Sequence, residues 1–251
     1  MLIAPSGDSI TIALNRHAQD LLSLVEQHAS ATHPFFDYLR NHQLSAKQAA
    51  GLLRNYDAHA TVLRRLLLKA ATAMPEAAVT YILENVRNEY GNGQPEGRHQ
   101  LQLKSLAEQA GVTPEAFARA PIEPGVRQYI QEIVPLYTAC KKRMPKGLYR
   151  PAVTAGAITA TELMALEEFR AMQLAFRQKA LTEHVWFDHV NVEAEHAFES
   201  LSLALFFVNH NQSSGLDSLR YGMLGVLDAN CRLYDGLLKA VQHTDPLDRE
   251  S

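Results

Sequence analysis

The chain has few of the features that mark secreted, membrane-spanning or nucleic-acid-binding proteins. Only two cysteines, Cys140 and Cys231, occur among 251 residues, which excludes a disulfide framework and favours a reducing compartment. The formal net charge is −3, and basic residues form only one short run, at 141–143, so no basic surface for nucleic acid is expected. The longest apolar runs, such as 201–208, are too short to cross a bilayer.

The pattern of residues at the start of the sequence is not typical of a leader segment. Residues 1–8 do not combine a basic region with an apolar core, so we expect no signal peptide and a cytoplasmic location. Apolar residues make up 47% of the chain, which is ordinary for a globular protein and too high for disorder. A chain of this length can bury a large core.

Helical periodicity dominates the sequence, and strand-like alternation is scarce. The pattern predicts helices over about 9–31, 45–73, 76–89, 99–111, 126–143, 150–179, 181–209 and 216–242, with a short helix after Thr113. Ser45 and Gln48 form a capping-box pattern, and Gly91 and Gly93 indicate a tight loop. No repeat or linker divides the chain. We therefore predict one all-α domain over 1–251, with a core of about 9–242 and frayed termini.

The helix predicted over 181–209 contains the closest group of histidine and glutamate side chains in the sequence. His189, Glu193 and His196 stand at i, i+4 and i+7, which places them on one helical face. A helical wheel puts this face on the apolar half, and it puts Glu199 on the polar half. Three convergent polar groups among apolar neighbours favour a transition metal over a structural network, because each unpaired buried polar group costs roughly 1–3 kcal/mol.

The preceding helix carries a similar anomaly. Glu162 falls within a stripe of apolar side chains, whereas the wheel places Glu167 on the far side and Glu168 near the edge, both in solvent. A buried carboxylate needs a cation, a hydrogen-bond donor or its own proton. We expect a metal held by the neighbouring helix; an ion pair with Arg64 or Arg87 is the alternative.

A third candidate pair flanks the loop. Glu89 ends one predicted helix and His99 begins the next, and the glycines between them permit a tight reversal. Three glutamates and three histidines exceed what one ion usually binds, so the set suits two ions with bridging carboxylates. Oxygen and imidazole ligands without thiolate favour iron or manganese over structural zinc.

These residues carry a family resemblance. The order Glu-x9-His, then Glu, then His-x3-Glu-x2-His resembles that of the heme-oxygenase-like diiron oxidases, relatives of the TenA and PqqC proteins. The segments NEYGNGQPEGRHQLQL, AGAITATE and HVNVEAEH match its three motifs, and HPFFDYLRNHQLSAKQ resembles the start of the superfamily. The resemblance extends over about 15–240 in layout, and it implies a single-domain heme-oxygenase-like helical bundle.

The resemblance implies a ligand set and a chemistry. Six residues would bind the metal: Glu89, His99, Glu162, His189, Glu193 and His196. The family often has Asp where this chain has Glu193, and some members add an earlier carboxylate, for which Asp57 is the candidate. Two Fe(II) ions, or an iron–manganese pair, would activate O2 as co-substrate. The enzyme would then act on a small organic molecule, mostly an amino acid or a derivative, by N-oxygenation, oxidative C–C cleavage or desaturation.

Other readings stay open. A TenA-like hydrolase would use Cys140 as nucleophile, a PqqC-like oxidase would need no metal, and a binding protein would keep the polar cluster for structure alone. Heme is disfavoured because the best histidines have carboxylates beside them. The expectation of a homodimer rests only on analogy with other proteins of this fold. Candidates for substrate contacts, which the sequence does not rank, are Arg64, Arg87, Arg98, Lys146, Tyr56, Tyr90, Tyr137 and Trp186.

Overall fold

A computed structural model describes residues 15–138, 140, 144–177, 180–210 and 214–242, without the side chains of residues 189, 191–195 and 210. The described part is helical and contains no strand. Its α-helices are α1 (Arg16–Glu26), α2 (Pro34–Asn41), α3 (Ala46–Ala73), α4 (Glu76–Glu89), α5 (His99–Gln109), α6 (Pro114–Arg119), α7 (Pro124–Tyr137), α8 (Arg150–Ala175), α9 (His189–His210) and α10 (Gly215–Gln242). Short 3-10 turns cover Ala29–Thr32, Pro95–Gly97 and Val185–Asp188. The predicted all-α class is therefore confirmed.

Local chemistry explains where several helices begin. The Ser45 hydroxyl accepts a hydrogen bond from the Gln48 backbone N–H, and the Gln48 side chain accepts one from the Ser45 N–H, which completes the expected capping box. Thr113 caps α6, and Pro114 occupies its first turn. These signals are local, so the sequence alone was enough to read them.

Several helices differ from the prediction. Helix α2 (Pro34–Asn41) was not predicted, and the helices expected over 126–143 and 150–179 cover Pro124–Tyr137 and Arg150–Ala175. The helix expected over 9–31 covers Arg16–Glu26 and ends in a separate 3-10 turn, while residues 9–14 lie outside the described part. The helix expected from 181 starts only at His189, after the 3-10 turn Val185–Asp188. That turn buries Trp186 and Phe187 and leaves Val185 exposed.

Helix α8 forms the centre of the molecule. It packs against α10, α9 and α2, and buried residues occur around most of its circumference. Its contact with α10 is very close: a Cβ on Gly156 would lie 2.0 Å from the Leu219 carbonyl oxygen, and one on Gly222 would lie 1.9 Å from that of Val153. The two backbones can approach this closely only because both positions lack a side chain.

No helix among the described residues is long and apolar enough to cross a membrane.

The close approach of α8 and α10 predicts that Gly222→Ala destabilises the fold by about 3 kcal/mol or more, because the new methyl group collides with backbone atoms that cannot move independently. Thermal and urea unfolding would measure the change. Gly225→Ala is the matched control on the same helix, where the nearest atoms belong to the flexible Leu136 side chain. Equal stability of Gly222→Ala and Gly225→Ala would contradict the prediction.

Candidate metal and substrate site

A small internal cavity of about 60 Å³ lies between α3, α7, α8, α9 and the α4–α5 connection. Four of the six predicted ligands line it: Glu89, His99, Glu162 and His196. They come from segments that are distant in sequence and that the helix packing brings to one place. The cavity is therefore the candidate functional site.

Glu162 occupies the interior, as its sequence context predicted. It is 7% exposed, and its Oε2 atom lies 3.9 Å from Nδ1 of His196, which is itself buried on α9. Asn85 on α4 also hydrogen-bonds the Glu162 carboxyl group. The alternative of an ion pair with Arg64 or Arg87 is not realised, since Arg64 contacts Glu89 and Arg87 contacts Glu84.

The α4–α5 loop brings Glu89 and His99 together. Gly91, Asn92 and Gly93 all adopt positive φ angles, and a Cβ on Gly91 would lie 2.3 Å from the Gln94 carbonyl oxygen. This tight reversal places Nδ1 of His99 3.2 Å from Oε1 of Glu89. The other Glu89 oxygen, Oε2, lies 3.9 Å from Nη1 of Arg64, so the side chain of Glu89 faces a cation from α3 as well.

The remaining two predicted ligands fall outside the described side chains. His189 and Glu193 belong to α9, but the structure does not describe where their side chains lie. Among the side chains that it does describe, no three His, Cys, Asp or Glu residues converge in a geometry that would hold a metal ion. The six-residue ligand set therefore stays a prediction, with four members at one cavity.

Carboxylates concentrate around Glu162. Burial, followed by the charges of Glu89, Glu199 and Glu168, raises the pKa of Glu162 to about 8, although the hydrogen bond from Asn85 acts in the opposite direction. Glu199 is half-buried and close enough to act on Glu162, which corrects the wheel's placement of Glu199 on the solvent side. Such a cluster of acidic groups favours either a retained proton or a bound cation.

His59 is a cavity residue that sequence reasoning missed. It lies on α3, is 3% exposed, and neither ring nitrogen has a hydrogen-bond partner in the described part of the protein. Burial, reinforced by the nearby Arg64 charge and opposed by Glu89, lowers the pKa of His59 to about 3, so the ring is neutral. A buried imidazole without a partner is costly unless a ligand supplies one. In the sequence His59 stands alone on its helix, which gave no signal.

The position of Glu168 also differs from the prediction. The wheel placed it in solvent near the helix edge, but it is 7% exposed and lines the same cavity as Glu162. Its Oε1 atom accepts a hydrogen bond of 2.5 Å from the Tyr234 hydroxyl, and Tyr56 also hydrogen-bonds its carboxyl group. Burial raises the pKa of Glu168 to about 7, against the lowering effect of these two phenols. Glu167, in contrast, is partly exposed and pairs with Arg40.

The other candidates divide between cavity and surface. Asp57 lines the cavity but pairs with Arg54 at 3.5 Å and with the Thr61 hydroxyl. Arg64, Tyr56 and Trp186 also line it. The Arg87 side chain is largely exposed, Arg98 bonds the Pro95 carbonyl oxygen, and Tyr90 is exposed. Tyr137 is buried and does not line the cavity, and its hydroxyl hydrogen-bonds that of Thr161, which does.

Solved structures define the class of fold. A CADD-like protein of unknown function from Nostoc punctiforme is similar, with a TM-score of 0.70 and 16% identity over 92% of this chain and 98% of that one. A TenA homologue from Pseudomonas syringae pv. tomato gives 0.68 and 14% over 95% and 100%. A domain of unknown function with a heme oxygenase-like fold from Shewanella denitrificans gives 0.61 and 15% over 95% and 94%. The predicted heme-oxygenase-like fold is confirmed.

The sequence itself identifies the family. Residues 50–229 match the model of a family described as iron-containing redox enzymes, which spans every predicted ligand. The chain belongs to this family. No curated protein matches the sequence.

The buried carboxyl group of Glu168 predicts a pH dependence of stability. Its pKa is raised from 4.5 to about 7 in the folded chain, so between these values the folded chain keeps a proton that the unfolded chain has released. A raised acid pKa stabilises the fold at low pH, and this stabilisation is lost as the pH rises through the folded pKa. The free energy of unfolding should therefore fall by up to about 3 kcal/mol between about pH 5 and pH 8 on account of this group.

Urea unfolding of the metal-free protein at both pH values would measure the fall. Glu168→Gln cannot titrate and should show a smaller fall than wild type, with Glu162 supplying the remainder. Glu167→Gln is the control and should behave as wild type. An identical fall in wild type and Glu168→Gln would show that Glu168 does not titrate in this range.

Proposed function

We propose that this protein is a non-heme diiron enzyme that uses O2 to oxidise or oxygenate a small organic substrate, namely an amino acid or a derivative of one. Glu89, His99, Glu162, His189, Glu193 and His196 would hold the two metal ions. One observation carries the proposal. Buried Glu162 faces His196 in a cavity that Glu89 and His99 also line, and Glu162 has no arginine or lysine partner in the described part of the protein.

The residues present fit iron. The four described candidates are two carboxylates and two imidazoles, and neither cysteine lines the cavity, which agrees with ligands preferred by iron or manganese. His59 adds a neutral imidazole with both nitrogens unpartnered among the described residues. Membership of an iron-containing redox enzyme family supports the choice of metal. The number of ions follows from the six-ligand set and belongs to the proposal.

The chain would contribute positioning, proton control and exclusion of water. Iron, when bound, supplies the electrons that reduce O2. The raised pKa of Glu162 means that its carboxyl group holds a proton in the metal-free protein and must release it when a cation binds. Tyr56, Tyr129, Phe169 and Trp186 form an apolar wall that leaves little room for bulk water beside the reacting groups.

Glu162→Gln should separate a metal ligand from a structural group. The anaerobically Fe(II)-loaded wild type should contain about two iron ions per chain, whereas the variant should fall to one or fewer, since a neutral amide is a poor ligand. The metal-free variant should fold and be at least as stable as wild type at pH 8, because a buried carboxylate without a cation has been removed. Glu167→Gln is the control for both measurements.

Iron content would be measured by metal analysis after removal of loosely bound ions, and stability by thermal unfolding. A variant that unfolds would favour the structural alternative, in which the cluster serves only the core. Wild type that never exceeds one iron ion under any loading condition would refute the dinuclear proposal.

The hydrolase alternative depends on a cysteine nucleophile, and the cavity does not favour it. Cys140 follows α7, is partly exposed and is absent from the cavity lining. Cys140→Ser should therefore leave O2 consumption by the Fe(II)-loaded protein unchanged, whereas His196→Ala should abolish it by removing a ligand. His42→Ala, on an exposed ring stacked on Tyr38, is the histidine control. Loss of activity in Cys140→Ser with retention in His196→Ala would reverse the assignment.

A PqqC-like oxidase without metal would bind its substrate and consume O2 in protein freed of iron. Measuring O2 consumption by the same preparation before and after chelation distinguishes that alternative from the proposed one.

A further inference from the structure

The Glu168 end of the cavity contains a buried carboxyl group with no cationic partner. In the described part of the protein, its hydrogen bonds come from the phenols of Tyr234 and Tyr56, and no lysine, arginine or histidine forms an ion pair with it. Two phenol donors stabilise a carboxylate but do not neutralise it. Glu168 also lines the cavity, so a bound ligand can reach it.

Aromatic rings line the same cavity as this carboxyl group, and one of them, that of Tyr56, carries a hydroxyl that hydrogen-bonds it. Tyr56, Phe169 and Trp186 all line the cavity and contact each other, with ring centroids 4.9 Å apart for Phe169 and Trp186, 5.5 Å for Tyr56 and Trp186, and 6.1 Å for Tyr56 and Phe169. The faces of such rings attract an organic cation, and the attraction grows when the site is shielded from water. Aromatic carbon does not ligate a metal, so this end of the cavity suits an organic cation rather than a metal ion.

The same cavity continues to the candidate ligands. Burial and then the charges of Glu168 and Glu162 raise the pKa of Tyr129, so this ring lies within electrostatic reach of both carboxyl groups. Glu168 lines the same cavity as Glu162 and His196, so a group held at Glu168 would occupy the space that these two side chains also border. The cavity volume of about 60 Å³ leaves room for a small head group.

We propose that the Glu168 end of the cavity, with Tyr56, Phe169 and Trp186, binds the protonated amine of a small aliphatic substrate. The ammonium would donate to the Glu168 carboxylate and lie against the aromatic faces, which orients the attached carbon towards the candidate metal ligands. Calling the bound molecule a substrate rests on the proposed function, but the binding of an amine does not, since it uses none of the six predicted ligands.

Trp186 provides a direct reporter because it is the only tryptophan in the chain and lies in the proposed subsite. The full-length protein would be titrated at pH 8 with n-propylamine, 1-propanol and propionate, in metal-free form and again after Zn(II) loading, while the tryptophan fluorescence is recorded. We expect saturable binding of n-propylamine and at least about tenfold weaker binding of the alcohol and the acid, since neither carries a cation. Equal affinity for n-propylamine and 1-propanol would overturn the proposal without any variant.

Variants test the assignment to Glu168. Glu168→Gln should weaken n-propylamine binding by at least about tenfold, because a hydrogen bond between two charged groups becomes one to a neutral amide. Glu167→Gln, with its side chain paired to Arg40 outside the cavity, should bind as wild type. Tyr234→Phe keeps the carboxyl group and should retain the preference for the amine over the alcohol. Unchanged affinity in a folded Glu168→Gln would also overturn the proposal.

The two proposals fail separately. If the protein binds n-propylamine but never two iron ions, the amine subsite stands and the diiron function falls. If the protein binds two iron ions but shows no preference for the amine, the diiron function stands and the amine subsite falls.

Discussion

The main physical constraint on this structure is that two carboxyl groups are buried inside its helical core. Glu162 and Glu168 both project from α8, the helix with neighbours on most sides, and both are 7% exposed. An uncompensated buried charge is among the most costly features that a fold can contain, so each group requires a local solution. Glu162 faces Asn85, His196 and other carboxylates, whereas Glu168 accepts hydrogen bonds from two phenols.

These two solutions give the cavity two chemically different ends. The Glu162 end gathers oxygen and imidazole groups from α4, α5, α8 and α9, a set suited to metal ions. The Glu168 end combines one carboxyl group with aromatic rings, a set suited to an organic cation. Helices α8 and α10 supply part of this division, since they pack closely at Gly156 and Gly222 and since Tyr234 on α10 reaches Glu168 on α8.

The helical class, the caps and the loop at Gly91 could be predicted because they depend on residues close in sequence. The wheel also placed Glu162 correctly. It failed for Glu168 because it divides a helix into one dry and one wet half, whereas α8 is enclosed by α10, α9 and α2. It failed for Glu199 for the same reason, since α9 packs against α4 and α10 as well as against α8. His59 could not be found in this way, because a single histidine on a long helix has no pattern until the neighbouring helices enclose it.

The sequence by itself determined an all-α chain, its membership of an iron-containing redox enzyme family and the order of its candidate ligands, because periodicity and motif spacing are local properties. Only the tertiary structure decided which of those side chains share a cavity. It also decided that Arg64 contacts Glu89 rather than Glu162, that His59 is enclosed without a partner among the described residues, and that Glu168 faces phenols. The physical reason is that burial and charge pairing depend on every helix that packs around a residue, and no single segment contains that information.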